Sequence, residues 1–505
     1  MKILDRYVVV SEKVPAEVTI GEKDEEYVNS YEIKMVRVSK ATEAILNHLK
    51  ERVISSVDIK VSEMLDPTEI ENIKLKFKDK AEELVVKEIA DISEKERNIL
   101  VGKLVQDMLG LGDIELMLAD NELEEIVINS SKEPAWVYHK RFGWLKTNLW
   151  IKDEAQIQNY ASIIARRVGR QITNLNPLMD AHLTTGDRVN AVIFPISTKG
   201  NCITIRKFAK SPWTIVHMID PKIKTLDLDI ASLLWLCVQY EMNMIISGGT
   251  ASGKTSFLNA ILVFTPPNQR VISIEDTREL YLPEFLHWTP MTTRLPNPEG
   301  KGEVTMLDLM VNSLRMRPDR IVLGEMRRQR EGEVLFEAMH TGHAVYATLH
   351  ADDARQTRNR LITPPINLPE SMLGALHLLV VQYRQRRTGI RRTFEVAEIV
   401  PQENKIFINR LFAWNVRNDT IAKVGEYVRL MDELMLFTGM NVKEITTDLE
   451  ERKKILAYML KHRIYDVDGV GRLVAMYYRD KERLLDVVKK NVIPEKVTKV
   501  ERGAE

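Results

Sequence analysis

The chain is short of three things. Among its 505 residues are only two cysteines, Cys202 and Cys237. That is too few for a disulfide scaffold or a four-cysteine zinc site within one chain, and it suits a reducing compartment. Net charge is also missing: 72 lysines and arginines offset 72 aspartates and glutamates, which leaves no global electrostatic case for nucleic acid or a membrane surface. Finally, no apolar run reaches the ~18 residues of a spanning helix, and Met1-Lys2-Ile3-Leu4-Asp5-Arg6 has no signal-peptide core. The expectation is a cytosolic protein that meets the cytoplasmic face of a membrane only through partners.

What is present is a phosphate-binding pattern. Gly248-Gly249-Thr250-Ala251-Ser252-Gly253-Lys254-Thr255 fits Gly-x4-Gly-Lys-[Ser/Thr]. Its glycines permit the φ values of a tight loop, whose consecutive N–H groups turn inward as an anion nest. Lys254 adds a point charge at the outer phosphates, and the Thr255 hydroxyl can ligate Mg²⁺. Met242 to Ser247 reads as a buried strand. Lys254 to Leu262 reads as a helix, with Ser256 in the first turn, where the positive helix end faces the phosphates.

The length suggests about three domains. Residues 1–110 read as a helical module. Asp66-Pro67-Thr68-Glu69 is a helix start, and Ser93 with Glu96 forms a capping box. Residues 111–210 mix short strands (Leu123–Asn129, Ala135–His139, Arg188–Ile193, Cys202–Phe208) with a helix over Ile157–Val168, an α+β domain. A linker at 211–225 leads to 226–400, where strands alternate with helices as in a doubly wound α/β domain. Residues 401–505 read as a helical extension.

Two apolar strands in the α/β segment end in acids. Arg270 to Ile274 runs into Glu275-Asp276-Thr277-Arg278-Glu279, and Asp319 to Leu323 runs into Gly324-Glu325. Acids at that point either cap the next segment or orient a water and reach a metal. Downstream of a phosphate loop the second reading is preferred, because ligands sit at the carboxyl ends of such strands. His343 and His350 bracket a further strand. At ~3.3 Å per residue they lie about 23 Å apart, which argues against a shared zinc. The densest basic run, Arg384-Gln385-Arg386-Arg387-Thr388-Gly389-Ile390-Arg391-Arg392, reads as a solvated hairpin, or as a surface for nucleic acid or an acidic partner.

Four motifs in order resemble the secretion-superfamily ATPases of type II and type IV secretion, type IV pili and archaella. They are Gly248 to Thr255, Ile274 to Leu280, Arg317 to Arg327, and Thr341 to Ala351, which resemble the family's Walker A, Asp box, atypical Walker B and His box. Gly186 to Asn190 and Thr204 to Phe208 resemble its N-terminal domain. Without a four-cysteine module, the chain looks most like the archaeal GspE-type branch. The resemblance implies a RecA-like P-loop ATPase domain preceded by the α+β domain and the helical module. It also implies Mg-dependent ATP hydrolysis in a homohexamer that drives a filament or secretion system through a polytopic membrane platform protein. The residue roles it implies place Lys254 on the phosphates, Thr255 and Glu325 on Mg²⁺, and Glu275 on the attacking water. His350, rather than His343, contacts the γ-phosphate, and Arg188 and Arg206 reach the site from the α+β domain. A nucleic-acid translocating ring ATPase is the alternative, disfavoured by the neutral charge.

Overall fold

The structure is a computed structural model. It describes all residues except 25, 37–38, 58–69, 90–91, 184–185, 209–211, 297–299, 404 and 493–505. The helix start expected at Asp66 to Glu69 lies outside the described residues. The chain forms two compact units, Met1–Lys210 and Ser211–Glu505.

The first unit is built on one sheet. Its strands are β1 (Lys2–Ser11), β2 (Val14–Glu22), β3 (Ser30–Met35), β4 (Leu123–Ile128), β5 (Trp136–His139), β6 (Gly143–Thr147), β7 (Leu178–His182), β8 (Arg188–Val192) and β9 (Cys202–Arg206). They lie in the order β1-β2-β3-β6-β5-β4-β9-β8-β7. The opening residues are therefore strand, not helix. Their signal is a period of two: Val14, Ala16, Val18 and Ile20 all turn inward. A buried carboxylate ties the three strands to the rest of the unit, since Tyr7 and Tyr31 donate to Asp120 Oδ2 at 2.7 and 2.8 Å. Helices follow at Lys40–Ser56, Ile70–Glu88 and Glu94–Leu109, packed through Leu49, Val53, Ala81, Val85 and Leu104. The Ser93–Glu96 capping box is formed.

The second unit holds a sheet in the order β12-β11-β13-β14-β10-β15-β16-β17-β18. These strands are β10 (Met244–Gly248), β11 (Val271–Glu275), β12 (Trp288–Thr292), β13 (Arg320–Leu323), β14 (Ala344–Leu349), β15 (Leu378–Arg384), β16 (Arg391–Gln402), β17 (Lys405–Asn415) and β18 (Thr420–Lys423). From β12 to β15 every pairing is parallel, and from β15 to β18 every pairing is antiparallel. The inner parallel strands β11, β13, β14 and β10 are buried on both faces, as crossover helices require. Met244 and Ile246 point into one core with Trp235 and Phe257. Ile245 points into the other with Phe336 and Val345.

The stretch expected to be helical from 401 onward first adds β17 and β18 to the sheet. Only then do helices begin, at Leu430–Thr438, Val442–Lys461, Val467–Arg479 and Lys481–Lys490. These helices cover one sheet face through Ile455, Met459 and Leu473. Buried Arg452 fixes the longest of them by donating to Asp448 Oδ2 at 2.7 Å and lying over the Trp235 ring.

Candidate functional site

The parallel order β11-β13-β14-β10 decides which sequence motifs meet. Each strand ends at the same edge, so Glu275, Glu325, His350 and the phosphate loop line up along four neighbouring strand ends. Adjacent ends are in contact. Gly324 N donates to Ile274 O at 2.8 Å, and a Cβ on Gly324 would stand 3.4 Å from Glu275 Cα. Met326 N donates to Thr348 O at 3.0 Å.

The loop's glycines are required by space as well as by dihedral angle. Gly248 has φ +152, and a Cβ there would lie 2.2 Å from Gln382 O. Gly253, at φ +91, caps the helix Lys254–Leu262 in the left-handed region. Ala251 also takes a positive φ, +59, without being glycine. Lys254 is 8% exposed. Its Nζ donates to Gly248 O at 2.9 Å, Gly249 O at 3.0 Å and His350 Nδ1 at 3.2 Å. Burial pushes its pKa down to about 8, against the pull of Glu325, Asp352 and Glu279. The Ser252 hydroxyl is buried with no hydrogen-bond partner. Thr255 is half-buried, while Thr250 and Ser256 are exposed.

A chain of polar contacts leads away from the lysine. An ammonium can only donate, so His350 Nδ1 accepts and its proton sits on Nε2, 3.3 Å from Glu325 Oε1. Burial first, and the Lys254 charge second, lower the His350 pKa and keep the ring neutral. Glu325 Oε2 accepts from Arg327 at 2.7 Å, and Arg327 also donates to Asp276 Oδ2 at 2.6 Å. Burial works against the Glu325 charge. Arg327 and Lys254 outweigh it and hold the group below its ordinary carboxylate value.

Glu275 is set up differently. It is 2% exposed. Oε1 accepts from the Glu279 and Leu280 amides at 2.9 and 3.1 Å, whereas Oε2 is buried with no partner. Burial pushes its pKa up to about 7 despite those two amides. One oxygen anchors the side chain, and the other is an unmet acceptor of the kind a general base presents.

The remaining expected site residues lie elsewhere. His343 sits at the start of β14, with Nδ1 3.1 Å from Thr341 Oγ1, at the opposite strand end from His350. Arg188 and Arg206 belong to the first unit, where β8 and β9 pair them directly across from one another. Arg188 grips Asp180 through Nε at 3.2 Å and Nη2 at 2.8 Å. The basic run is not simply solvated. Arg392 is buried and pairs with Asp419 at 2.7 and 2.8 Å, and Arg391 Nε donates to Ala251 O at 3.1 Å.

Reasoning on the sequence did not single out Arg327 or Asp352, and it took Asp276 only as one of a run of acids. Asp276 follows directly on Glu275 and Arg327 lies two residues past Glu325, so position after the strand was their one available signal. Asp352 stands with Oδ1 3.0 Å from where a Gly249 Cβ would be, two residues past His350.

Residues 132–386, just over half of the chain, match the family described as Type II/IV secretion system protein. The chain is 35% identical over 397 residues to protein MJ0900 of Methanocaldococcus jannaschii, spanning 77% of this chain and 71% of the relative. It is 29% identical over 306 residues to the type IV secretion system protein PtlH of Bordetella pertussis, 54% of this chain and 89% of that one. The X-ray structure of the ATPase DotB from Legionella pneumophila covers 74% of this chain and 95% of its own length, at 19% identity and a TM-score of 0.42. The matched stretch holds the phosphate loop, both acidic strand ends and His350, and the chain belongs to the type II/IV secretion system protein family.

Proposed function

We propose that this chain is a Mg²⁺-dependent ATP hydrolase. It works as a homohexameric motor that powers secretion, or assembly of a pilus-like filament, from the cytoplasmic face of a membrane through a polytopic platform protein. One observation carries the reading. A phosphate loop, an ionised carboxylate, a neutral imidazole and a buried carboxyl with one unmet oxygen share a single edge of the sheet.

Phosphoryl transfer asks for positioning and charge neutralisation more than covalent chemistry. The loop amides of Gly248 to Thr255 bind the phosphates, and Lys254 neutralises the outer ones. The Glu275 oxygen left without a donor takes the proton of the attacking water. The neutral His350 ring donates from Nε2 and is placed to pass from Glu325 to a γ-phosphate oxygen. Thr255 and Glu325 supply hard oxygen donors of the sort Mg²⁺ prefers, and they fit the metal because Glu325 is held ionised. When bound, the metal neutralises charge on the phosphates. Among the described residues no helix is long and apolar enough to cross a membrane.

The test is phosphate release from ATP by the full chain. Turnover is expected to require Mg²⁺ and to stop with EDTA. Turnover per chain is expected to rise with protein concentration as hexamers replace smaller species in sedimentation. Constant turnover from nanomolar to micromolar protein, with monomers alone present, defeats the ring.

Arg188 and Arg206 complete the proposal as groups that neutralise transition-state charge. Their cross-strand pairing and exposure support this. Arg206→Gln and Arg188→Gln are each expected to lower kcat by about 10³-fold or more, the range for a lost arginine finger. ATP affinity should fall less than kcat. Wild-type kcat in both variants removes the arginines from the mechanism.

A further inference from the structure

The basic hairpin of β15 and β16 touches the phosphate loop from two strands. Gln382 O, on β15, is the atom a Gly248 Cβ would meet at 2.2 Å. On β16, Arg391 Nε donates to Ala251 O at 3.1 Å, and its Cδ is 3.4 Å from a Gly253 Cβ position. Ala251 is the loop residue that needs help. It holds φ +59 with a side chain, a conformation that persists only where the surroundings over-determine it.

We propose that Arg391 is a positioning residue for the phosphate loop, clamping the Ala251 carbonyl so that the loop keeps its phosphate-binding shape. The Ala251–Ser252 peptide is planar and trans, so a carbonyl held on one side turns the Ser252 N–H to the other, where it lies 3.3 Å from Gly249 O. The clamp has a fixed base. Arg392, the next residue, is buried and holds Asp419 with two hydrogen bonds and Ile223 O at 2.7 Å. Thr393 N donates to Thr225 O at 2.7 Å. One short stretch of β16 therefore joins the phosphate loop to the 220–225 segment at the start of its own unit. The charge run that reads as a solvated hairpin is, at its second strand, part of the nucleotide site.

This inference rests on the nucleotide reading, and one experiment separates the two. ATP affinity and steady-state kinetics are measured for the wild-type chain, Arg391→Gln, Ala251→Gly and the double variant. Arg391→Gln is expected to weaken ATP binding about tenfold, the order for one lost charge-assisted hydrogen bond, with the larger part of the loss in KM rather than kcat. Glycine adopts the left-handed conformation without strain. In the Ala251→Gly background the same arginine substitution is therefore expected to cost about twofold or less, a coupling a double-mutant cycle reads directly. Arg391→Lys keeps a donor and is expected to recover part of the affinity. Equal penalties in both backgrounds, or unchanged affinity in Arg391→Gln, overturn the inference alone. A wild-type chain that does not bind ATP defeats the nucleotide site and this inference with it.

Discussion

Glu275→Gln is expected to lower ATP turnover by about 10²-fold or more, the scale of a lost general base, and to make the protein more stable above neutral pH. Both effects have one cause. Burial pushes the carboxyl up to about 7, so between its ordinary value and 7 the folded chain keeps a proton that the unfolded chain has released. Stability from this group therefore falls as pH rises through that window. Glutamine can keep the two amide contacts through its oxygen and carries no charge. At pH 8 the variant is expected to gain up to about 3 kcal/mol over wild type, and at pH 4 little or nothing. Wild-type kcat/KM is expected to rise with pH through about 7 as Glu275 loses its proton. Thermal melts at the two pH values and a phosphate-release assay check all three points. Wild-type turnover in the variant, or an equal stability difference at pH 4 and pH 8, removes Glu275 from its role.

Lys254→Met is expected to lower turnover by about 10²–10³-fold, the cost of losing a preorganised charge at the transition state, and to weaken ATP binding along with it. Methionine keeps the unbranched length and removes the ammonium. The folded chain should tolerate this, because the lysine is desolvated: it donates to two loop carbonyls and His350, and its charged form is disfavoured by burial. A fluorescent-nucleotide titration and a melt separate the two consequences. Binding and turnover at wild-type levels would mean that the phosphates lie elsewhere. A lysine held in the loop at the expense of stability and a glutamate held with an unmet oxygen are the same kind of feature, local destabilisation kept where the chemistry needs it.

The residues that were legible in advance share a property. The phosphate loop is one continuous run, and its chemistry is backbone chemistry, so eight consecutive letters contain it. Glu275 and Glu325 were legible because each ends an apolar strand, and strand ends are where such sheets bind ligands. The first strands were missed for a different reason. Capping boxes further along drew the whole segment toward helix, although Val14, Ala16, Val18 and Ile20 already alternate. The same happened at Lys405 to Asn415, where an alternating run precedes the helices.

Partners distant in sequence were not legible at all. Arg391 meets Ala251 across 140 residues, and Arg327 meets Asp276 across 51. In the sequence Arg391 is one of several arginines in a charged run. Nothing local separates it from Arg386 and Arg387, which are exposed.

By itself, then, the sequence determined the phosphate-loop pattern, the family and the strands that carry the acids, because each of these is written in short runs whose physics is local. The tertiary structure alone decided which oxygen of Glu275 is left unmet, that His350 bridges Lys254 to Glu325, and that the basic hairpin folds onto the phosphate loop. Those outcomes depend on strand order in the sheet and on burial. Both are set by how distant segments pack, and neither leaves a mark on neighbouring residues.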